Sequence, residues 1–210
     1  MTKGKLVSFE GIEGVGKSTT IHSVKEYLEE RGITVYCTRE PGGTKFGELL
    51  RGILLNNKST IYPEAELLLI FAIRNQHIRE IIEPKLSQGI WVLCDRYIDA
   101  SIAYQGFGKN VDLNKIQSLI ESFTYNIFPD LTIFFDLKYE LAKKRFPKNK
   151  KKDRFEMLDS TFFNKVYDGY MYQIKKDSNR ICIIDANVSK NAVLNQITLL
   201  LEKKFSSLFK

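Results

Sequence analysis

The sequence has 210 residues, of which 43% are hydrophobic and 27% are charged, a balance typical of a globular chain with a sizeable core. Its three cysteines include no C-x-x-C pair, so neither a disulfide framework nor a zinc site is indicated. The N-terminus lacks a leader pattern, and no apolar run approaches the roughly 18 residues of a membrane helix. We therefore expect a cytoplasmic protein with no membrane partner.

The net charge of +7 comes mainly from one segment. Residues 143–154 (KKRFPKNKKKDR) hold eight of the 32 basic residues and one of the 25 acidic residues, so the rest of the chain is balanced. A nucleic-acid-binding protein spreads its positive charge over a face that follows the backbone. A local excess instead favours a small polyanion, such as the phosphates of a nucleotide, and we expect no nucleic-acid partner.

Short apolar strands alternate with helical patterns along the whole chain. Strands are predicted at residues 6–9, 33–37, 90–94, 131–135 and 181–184. Helices are predicted at residues 17–30, 44–55, 63–86, 100–104, 113–125, 139–145, 155–176 and 192–205. This order predicts an α/β fold, a three-layer sandwich in which helices cover both faces of a five-stranded parallel sheet. Ligands of such sheets bind beyond the carboxyl ends of the strands.

The loop after the first strand carries the most specific local motif. Residues 11–18 match G-x-x-x-x-G-K-S, between an apolar strand and a periodic helix. This is the P-loop, which binds nucleoside triphosphates through backbone N–H groups and a helix N-terminus. Lys17 would reach the β- and γ-phosphates, and Ser18 would offer its hydroxyl to Mg²⁺. The expected nucleotide-binding residues are Gly11, Ile12, Glu13, Gly14, Val15, Gly16, Lys17, Ser18 and Thr19.

Several classes of P-loop protein fit the rest of the chain poorly. A switch GTPase would need a guanine-binding N-K-x-D loop, which is absent from the sequence. A helicase or motor normally needs a longer chain and a second module. A compact kinase acting on a second, smaller anionic substrate remains.

Arginines and acids follow the second and third strands. TREPGGT (residues 38–44) places Arg39 beside the P-loop, where a guanidinium suits a phosphate, although a structural turn with Glu40 is the alternative. DRYIDASIAYQG (residues 95–106) offers Asp95 to Mg²⁺ or its waters and Arg96 to a second phosphate. Four polar side chains of this segment would contact a sugar and base, unless the aromatic ones pack in the core: Tyr97, Ser101, Tyr104 and Gln105.

Four segments in this order, EGIEGVGKST, TREPGGT, FAIRNQH and DRYIDASIAYQG, closely resemble those of bacterial thymidylate kinases. The resemblance extends over about residues 5–185. It implies a P-loop NTPase-type fold and phosphoryl transfer from ATP to dTMP, which gives dTDP and ADP, with Mg²⁺ and as a homodimer. dTMP and ATP would be the partners.

The resemblance also implies roles for individual residues at the acceptor site. Glu13 would face the acceptor's sugar and the waters of the metal, and Tyr104 would lie against the sugar and exclude a 2′-hydroxyl. Ser101 would contact the base. Arg74 would bind the thymine edge. The acceptor phosphate would be held or flanked by Arg39, Arg51 and Arg96.

One position departs from the family pattern. Family members often place a Phe four residues before the arginine that corresponds to Arg74, but Ile70 stands there. Phe71 stands three residues before Arg74, and helical neighbours can exchange roles. Phe71 is therefore the expected stacking residue, with Ile70 as the alternative.

The resemblance further implies a lid. One family subtype carries an arginine inside the P-loop, at the position of Gly14, and this chain has no cation there. It is similar to the other subtype, which supplies charge from a lid, here residues 143–155 of a single domain spanning 1–210. The alternative is a solvated charged surface. The expected catalytic residues are Lys17, Arg96, Arg145 and Arg154, with Lys148 and Lys150 in reserve.

Such a reaction needs no general base, because a phosphate oxygen of dTMP is already nucleophilic. His22 and His77 are accordingly expected to be ordinary helix residues. Three alternatives remain open: another nucleoside monophosphate or deoxynucleoside kinase, a non-catalytic ATP-binding module, and a nucleic-acid-binding ATPase that uses the basic segment.

Overall fold

A computed structural model describes residues 3–58, 60–145 and 153–206. These residues form one parallel sheet with the strand order β2-β3-β1-β4-β5. Its strands are β1 (Leu6–Glu10), β2 (Val35–Arg39), β3 (Trp91–Asp95), β4 (Leu131–Asp136) and β5 (Ile181–Asp185). The predicted α/β fold with a five-stranded parallel sheet is confirmed.

Helices connect every pair of successive strands. They are α1 (Lys17–Glu29), α2 (Lys45–Leu55), α3 (Pro63–His77), α4 (Glu83–Ser87), α5 (Ile98–Ser101), α6 (Leu113–Phe123), α7 (Tyr139–Lys143), α8 (Ser160–Lys176) and α9 (Lys190–Lys204). Within the described ranges, no helix combines the length and the hydrophobicity that crossing a membrane would require.

The core lies on both faces of the sheet. Side chains alternate along a strand, so Val7 and Phe9 of β1 join a cluster with α1 and α9, whereas Leu6 joins a second cluster with α3 and α6. Val92 and Cys94 of β3 belong to that second cluster. Burial on both faces explains why these strands are apolar throughout.

Each strand ends on a charged residue, one or two positions beyond its predicted end. These residues are Glu10, Arg39, Asp95, Asp136 and Asp185. The apolar pattern stops before them, but the strand pairing does not, because Arg39 lies in register with Asp95 and Asp136 with Asp185. The carboxyl edge of the sheet is therefore lined with charge.

The helix predicted to start at residue 155 starts at Ser160 instead. The Asp159 carboxylate accepts a hydrogen bond from the Phe162 N–H at 2.9 Å and caps the helix there. Upstream, the Asp153 carboxylate accepts from the N–H groups of Phe155 and Glu156, both at 2.9 Å, and holds a turn. The backbone N–H groups of this segment thus donate to the carboxylates of Asp153 and Asp159, and the first helical turn that the hydrophobic periodicity predicts does not form.

Two predicted helices contain wider, π-helical turns. Residues Ile78–Ile82 form one between α3 and α4, just before Pro84, which has no N–H to continue an α-helical ladder. Residues Ile102–Gly108 form the other after α5, where only a short helix was predicted. This second segment packs closely on α8, since a Cβ on Gly108 would lie 2.6 Å from the Phe162 ring.

Candidate active site

A cleft of about 480 Å³ lies beyond the carboxyl edge of the sheet. Most of the residues selected from the sequence line it: Glu13, Gly14, Gly16, Lys17, Ser18, Thr19, Arg39, Arg51, Arg74, Asp95, Arg96, Ser101, Tyr104, Gln105 and Arg145. Five other selected residues are described but do not line it: Gly11, Ile12, Val15, Phe71 and Arg154. Lys148 and Lys150 lie outside the described residues.

The P-loop joins β1 to α1 through backbone conformations that favour glycine. The φ angle is +137° at Gly11 and +98° at Gly16. Ile12 and Val15 are buried in the main core cluster and fasten the loop to the domain. Gly16 immediately precedes α1, so the unpaired N–H groups of the first helical turn lie at the loop, where an anion is favoured.

Lys17 is held in the cleft by two backbone carbonyl oxygens, with the Asp95 carboxylate slightly farther away. Its Nζ donates to the carbonyl oxygens of Gly11 at 3.1 Å and Ile12 at 3.0 Å, and lies 3.9 Å from Asp95 Oδ1. Burial, followed by the charge of Arg96, lowers the pKa of Lys17, while Asp95 opposes that shift. A phosphate oxygen would therefore offer this ammonium a stronger partner than the two neutral carbonyls it now contacts.

Ser18 and Asp95 bring two oxygen groups together. Ser18 Oγ donates to Asp95 Oδ2 at 3.1 Å, across 77 positions of sequence. Asp95 reaches this place because it ends β3, in register with Phe9 of β1. No group of three or more His, Cys, Asp or Glu side chains suited to a metal occurs among the residues described.

Arg96 occupies a backbone conformation that is uncommon for a residue with a side chain, with φ +70°. The turn is held by Arg96 N–H donating to Phe9 O at 3.0 Å and by Tyr97 N–H donating to Glu10 Oε1 at 2.7 Å. The guanidinium donates to Gly11 O at 2.7 Å and to Glu13 Oε1 at 2.8 Å. Arg96 is thus fixed at both its backbone and its side chain, against the base of the P-loop.

Glu13 and Tyr104 complete this corner of the cleft. Tyr104 OH donates to Glu13 Oε2 at 3.0 Å, so Glu13 bridges Tyr104 and Arg96. The Arg96 guanidinium carbon lies 4.7 Å from the centre of the Tyr104 ring, within cation–π range. The three residues form one hydrogen-bonded unit beneath the cleft.

Arg74 is almost completely buried, with 1% of its surface exposed. Its Nε donates to Glu40 Oε2 at 2.7 Å, its Nη1 to Ser101 Oγ at 3.0 Å and its Nη2 to Tyr97 O at 3.0 Å. Arg74 and Ser101 both still line the cleft. A buried guanidinium with a fixed plane is well suited to a ligand that presents hydrogen-bond acceptors in one plane.

The structure corrects the expectation for Phe71. Its ring packs in the second core cluster, 4.7 Å from the Arg74 guanidinium carbon, whereas Ile70 lines the cleft. Residues three and four positions before Arg74 differ by about 100° around the helix, and only one of them can face the ligand. Tyr97 borders the cleft, but its hydroxyl is already bonded inside the protein, since it donates to Ile127 O at 3.0 Å.

Arg39 and Arg51 lie at the cleft mouth. Arg39 is exposed and donates to Glu48 Oε2 at 2.9 Å, so its partner is Glu48 and not the Glu40 considered from the sequence. Arg51 Nη1 donates to Pro41 O at 2.5 Å. Both side chains are held by α2 or by the loop before it, beside the P-loop.

The two arginines expected to belong to a lid lie in different environments. Arg145 is exposed and lines the cleft. Arg154 is turned away: its Nε donates to Leu54 O at 2.9 Å and its Nη2 pairs with the fully buried Glu66. Arg154 therefore anchors the end of the segment to α2 and α3, contrary to the expectation of a cation over the phosphates.

Gln105 shares the same buried carboxylate. Its Nε2 donates to Glu66 Oε1 at 2.9 Å, and Lys109 Nζ donates to Glu66 Oε2 at 2.6 Å. The amide nitrogen of Gln105 is therefore already bonded inside the protein, although its side chain borders the cleft.

Sequence reasoning missed four buried polar residues that hold this site together: Glu10, Glu40, Glu66 and His77. His77 was expected to be an ordinary helix residue, yet it is fully buried between Thr38 and Glu40. Their partners lie 34 to 160 positions away in the sequence. The only local signal was an acid next to a motif residue, at Glu10 before Gly11 and at Glu40 after Arg39.

Comparison with known proteins agrees with this geometry. The family model described as thymidylate kinase matches residues 9–197. The thymidylate kinase of Methylococcus capsulatus is 44% identical over 205 residues, covering 96% of this chain and 98% of that protein. The chain belongs to the thymidylate kinase family.

Other members of the family match over similar lengths. The thymidylate kinase of a Psychrobacter species is 44% identical over 201 residues, covering 94% of this chain and 96% of that protein. The crystal structure of thymidylate kinase from Ehrlichia chaffeensis superposes with a TM-score of 0.79 at 32% identity, covering 95% of this chain and 99% of that one. The family likeness thus includes the whole cleft.

Glu10, beneath the P-loop, should make the stability of the fold depend on pH. Burial, with a smaller contribution from the charge of Asp99, raises the pKa of Glu10 to about 7, against opposing contributions from Arg96, Tyr170 and Tyr97. Because the folded protein holds this proton more tightly than the unfolded chain, Glu10 makes the fold less stable as pH rises from about 4.5 to about 7.

Glu10→Gln removes that titration. We expect the free energy of unfolding of the variant, relative to the native protein, to rise by up to about 3 kcal/mol between pH 5 and pH 8. Urea unfolding across this range measures it, with the exposed Glu26→Gln as the matched control. If the free energies of unfolding of Glu10→Gln and the native protein changed in parallel with pH, the raised pKa of Glu10 would be contradicted.

Proposed function

We propose that the protein transfers the γ-phosphoryl group of ATP to dTMP and forms ADP and dTDP. The observation that carries this proposal is a single cleft lined by a P-loop lysine, by Arg96 and by the buried Arg74. The cysteines Cys37, Cys94 and Cys182 are free thiols, which supports a reducing compartment, and we assign the reaction to the cytoplasm.

The donor would bind along the P-loop. Its phosphates would take the N–H groups at the start of α1, and Lys17 would exchange its two carbonyl partners for phosphate oxygens. The hydroxyl of Ser18 and the carboxylate of Asp95 are hard oxygen ligands 3.1 Å apart, a donor set that fits Mg²⁺ with the remaining ligands from water and phosphate. Bound there, Mg²⁺ would neutralise charge on the donor phosphates.

The acceptor would bind between Arg96 and Arg74. Arg96, with Arg39 and Arg51 at the cleft mouth, would hold the acceptor phosphate. Arg74 and Ser101 would contact the base edge, and Ile70 would pack against the base in place of an aromatic ring. Tyr104, held by Glu13, would lie against the sugar and leave no room for a 2′-hydroxyl.

We propose that residues 143–155 act as the lid of a single domain spanning 1–210. Arg145, which borders the cleft, would supply the lid cation, and Arg154 would hold the end of the lid to Glu66 and Leu54. Closing the lid would exclude water and so limit wasteful hydrolysis of ATP.

The chemistry then needs positioning more than proton transfer. A phosphate oxygen of dTMP attacks the γ-phosphorus in line, and the bond to the β–γ bridging oxygen breaks with its electrons leaving on ADP. No general base is required. The transferring group carries negative charge on three equatorial oxygens, and the fixed cations Lys17 and Arg96 stabilise it without reorganising.

The direct test is release of ADP from ATP with and without an acceptor. We expect release to depend on dTMP, to be slower with other nucleoside monophosphates or with thymidine, and to be insensitive to added DNA. In Lys17→Ala, turnover should fall by about 100-fold or more, because a fixed charge at the developing negative charge is lost.

Other results would each favour a different function. ADP release that depends on another nucleotide or nucleoside would favour a different small-molecule kinase. ATP binding with no acceptor-dependent release would favour a non-catalytic module, and DNA-stimulated hydrolysis with steep salt dependence would favour a nucleic-acid ATPase.

We also propose that the protein is a homodimer that pairs through α2. Three apolar side chains lie exposed at helical spacing on this helix: Phe46 (45%), Leu49 (74%) and Ile53 (49%). The neighbouring helix α3, in contact with α2, exposes Leu68. An apolar stripe on two adjacent helices is typical of a surface that another subunit covers.

Leu49→Asp should place a charge at the centre of that stripe and dissociate the dimer. Sedimentation velocity should give about twice the chain mass for the native protein and a single chain for the variant. Leu199→Asp, at a leucine of α9 that is 65% exposed, is the matched control and should remain dimeric. A native protein that sediments as a monomer at micromolar concentration would end this proposal.

A further inference from the structure

The segment TREPGGT does more than present Arg39 to the cleft. Glu40, the next residue, also borders the cleft, but its side chain is buried, with 4% of the residue's surface exposed. Its Oε2 accepts from Arg74 Nε at 2.7 Å, and its Oε1 contacts His77 Nδ1 at 3.0 Å. One carboxylate thus joins two side chains of α3, three positions apart, to the loop after β2.

His77 is in turn fixed by the same loop. Its Nε2 lies 2.7 Å from Thr38 Oγ1, and the ring is fully buried. A Cβ on Gly43 would lie 2.5 Å from His77 Nε2, so the glycine is required where the loop crosses the ring. Thr38 of β2, together with Glu40 and Gly43 of the loop that follows it, therefore encloses a histidine that the proposed chemistry does not use.

The directions of the hydrogen bonds follow from the charges. Burial alone would raise the pKa of Glu40, but Arg74 and His77 overcome it, so that the pKa is lowered and the carboxylate is ionised. An ionised carboxylate only accepts, so His77 Nδ1 carries a hydrogen. In a neutral imidazole Nε2 is then the acceptor, and Thr38 donates to it.

We propose that Thr38, His77 and Glu40 form a hydrogen-bonded chain that positions Arg74 to select the base of the acceptor. This inference rests on the proposed function and adds to it: Glu40, which borders the cleft, and His77, which does not, are positioning residues that act through Arg74. The chain runs from the end of β2, through α3, to the guanidinium.

The hydrogen bonds of Arg74 show what is being positioned. A guanidinium has five N–H groups, and three of those on Arg74 are used by Glu40, Ser101 and the Tyr97 carbonyl. Within the described residues, one N–H on each of Nη1 and Nη2 is left for a ligand. Glu40 holds Nε with a charged partner, alongside the neutral partners Ser101 and the Tyr97 carbonyl, and these bonds together fix the guanidinium plane and the direction of the two remaining donors.

Fixed donors discriminate between bases. The carbonyl oxygen at position 4 of thymine accepts hydrogen bonds from these N–H groups. The amino group at the same position of cytosine is itself a donor, so it cannot pair with them. A guanidinium free to turn would lose this distinction, since it could rotate toward N3 of cytosine, the ring acceptor next to the amino group. The chain is thus expected to affect recognition of the acceptor and to leave use of ATP unchanged.

The test is Glu40→Gln, with steady-state kinetics on dTMP, dCMP and ATP. We expect the KM for dTMP to rise about tenfold or more with kcat changed less than about threefold, because the lost interaction serves binding. The preference for dTMP over dCMP in kcat/KM should fall about tenfold, and the KM for ATP should change less than about twofold. In an Arg74→Ala background, Glu40→Gln should have almost no further effect.

Two substitutions of His77 give a second arm if Glu40→Gln folds poorly. His77→Asn keeps an amide nitrogen at the place of Nδ1 and can still donate to Glu40, whereas His77→Gln carries its amide at the place of Nε2. We expect His77→Asn to keep most of the dTMP preference and His77→Gln to lose it. Thermal unfolding of each variant separates a loss of stability from a loss of selectivity.

The proposal is overturned if the KM for dTMP and the dTMP preference stay unchanged in Glu40→Gln while stability falls. It is also overturned if the KM values for dTMP and ATP rise together, or if Glu40→Gln costs as much with Arg74→Ala as without it. A native protein inactive on dTMP would instead refute the proposed function, and the same comparison would then be made with the acceptor that it uses.

Discussion

The repulsion between two polyanions that must share one small cleft is the constraint on which the site depends. A protein meets it by fixing positive charge in place before either ligand arrives, and a cation in a buried cleft is stable only with a partner. Arg96 is held by Glu13, Arg74 by Glu40 and Arg39 by Glu48, while Lys17 rests on backbone carbonyls near Asp95. The site therefore depends on these carboxylates as much as on the cations that they hold.

The parallel sheet supplies the geometry for these pairs. Since every strand ends at the same edge, residues far apart in sequence meet there: Glu10, Arg39 and Asp95 end three neighbouring strands. The unusual backbone at Arg96, with φ +70°, is tolerated because Phe9 and Glu10 of the adjacent strand hold it on both sides. The stability of the core is thus used to hold one residue in a conformation that it would not adopt alone.

The sequence predicted what depends on local chemistry. The P-loop, the five strands and the residues directly after β2 and β3 follow from short patterns, and Lys17, Asp95 and Arg96 all line the cleft. It did not predict which face a helix turns inward, so that Phe71 was chosen where Ile70 lines the cleft. Nor did it predict long-range partners: Arg154 pairs with Glu66 of α3, 88 positions away in the sequence. A run of basic residues shows that a segment is positively charged, but it does not show where each side chain points.

The central claim is that fixed cations let both ligands stay bound together. The direct measurement is the affinity for dTMP, by calorimetry, with and without a saturating, non-hydrolysable ATP analogue and Mg²⁺. The account predicts that the analogue changes dTMP affinity by less than about threefold in the native protein. In Arg96→Ala, where Glu13 keeps the Tyr104 hydroxyl but loses its cationic partner beside the phosphates, the analogue should weaken dTMP binding by about tenfold or more. An equal effect of the analogue on the two proteins would contradict it.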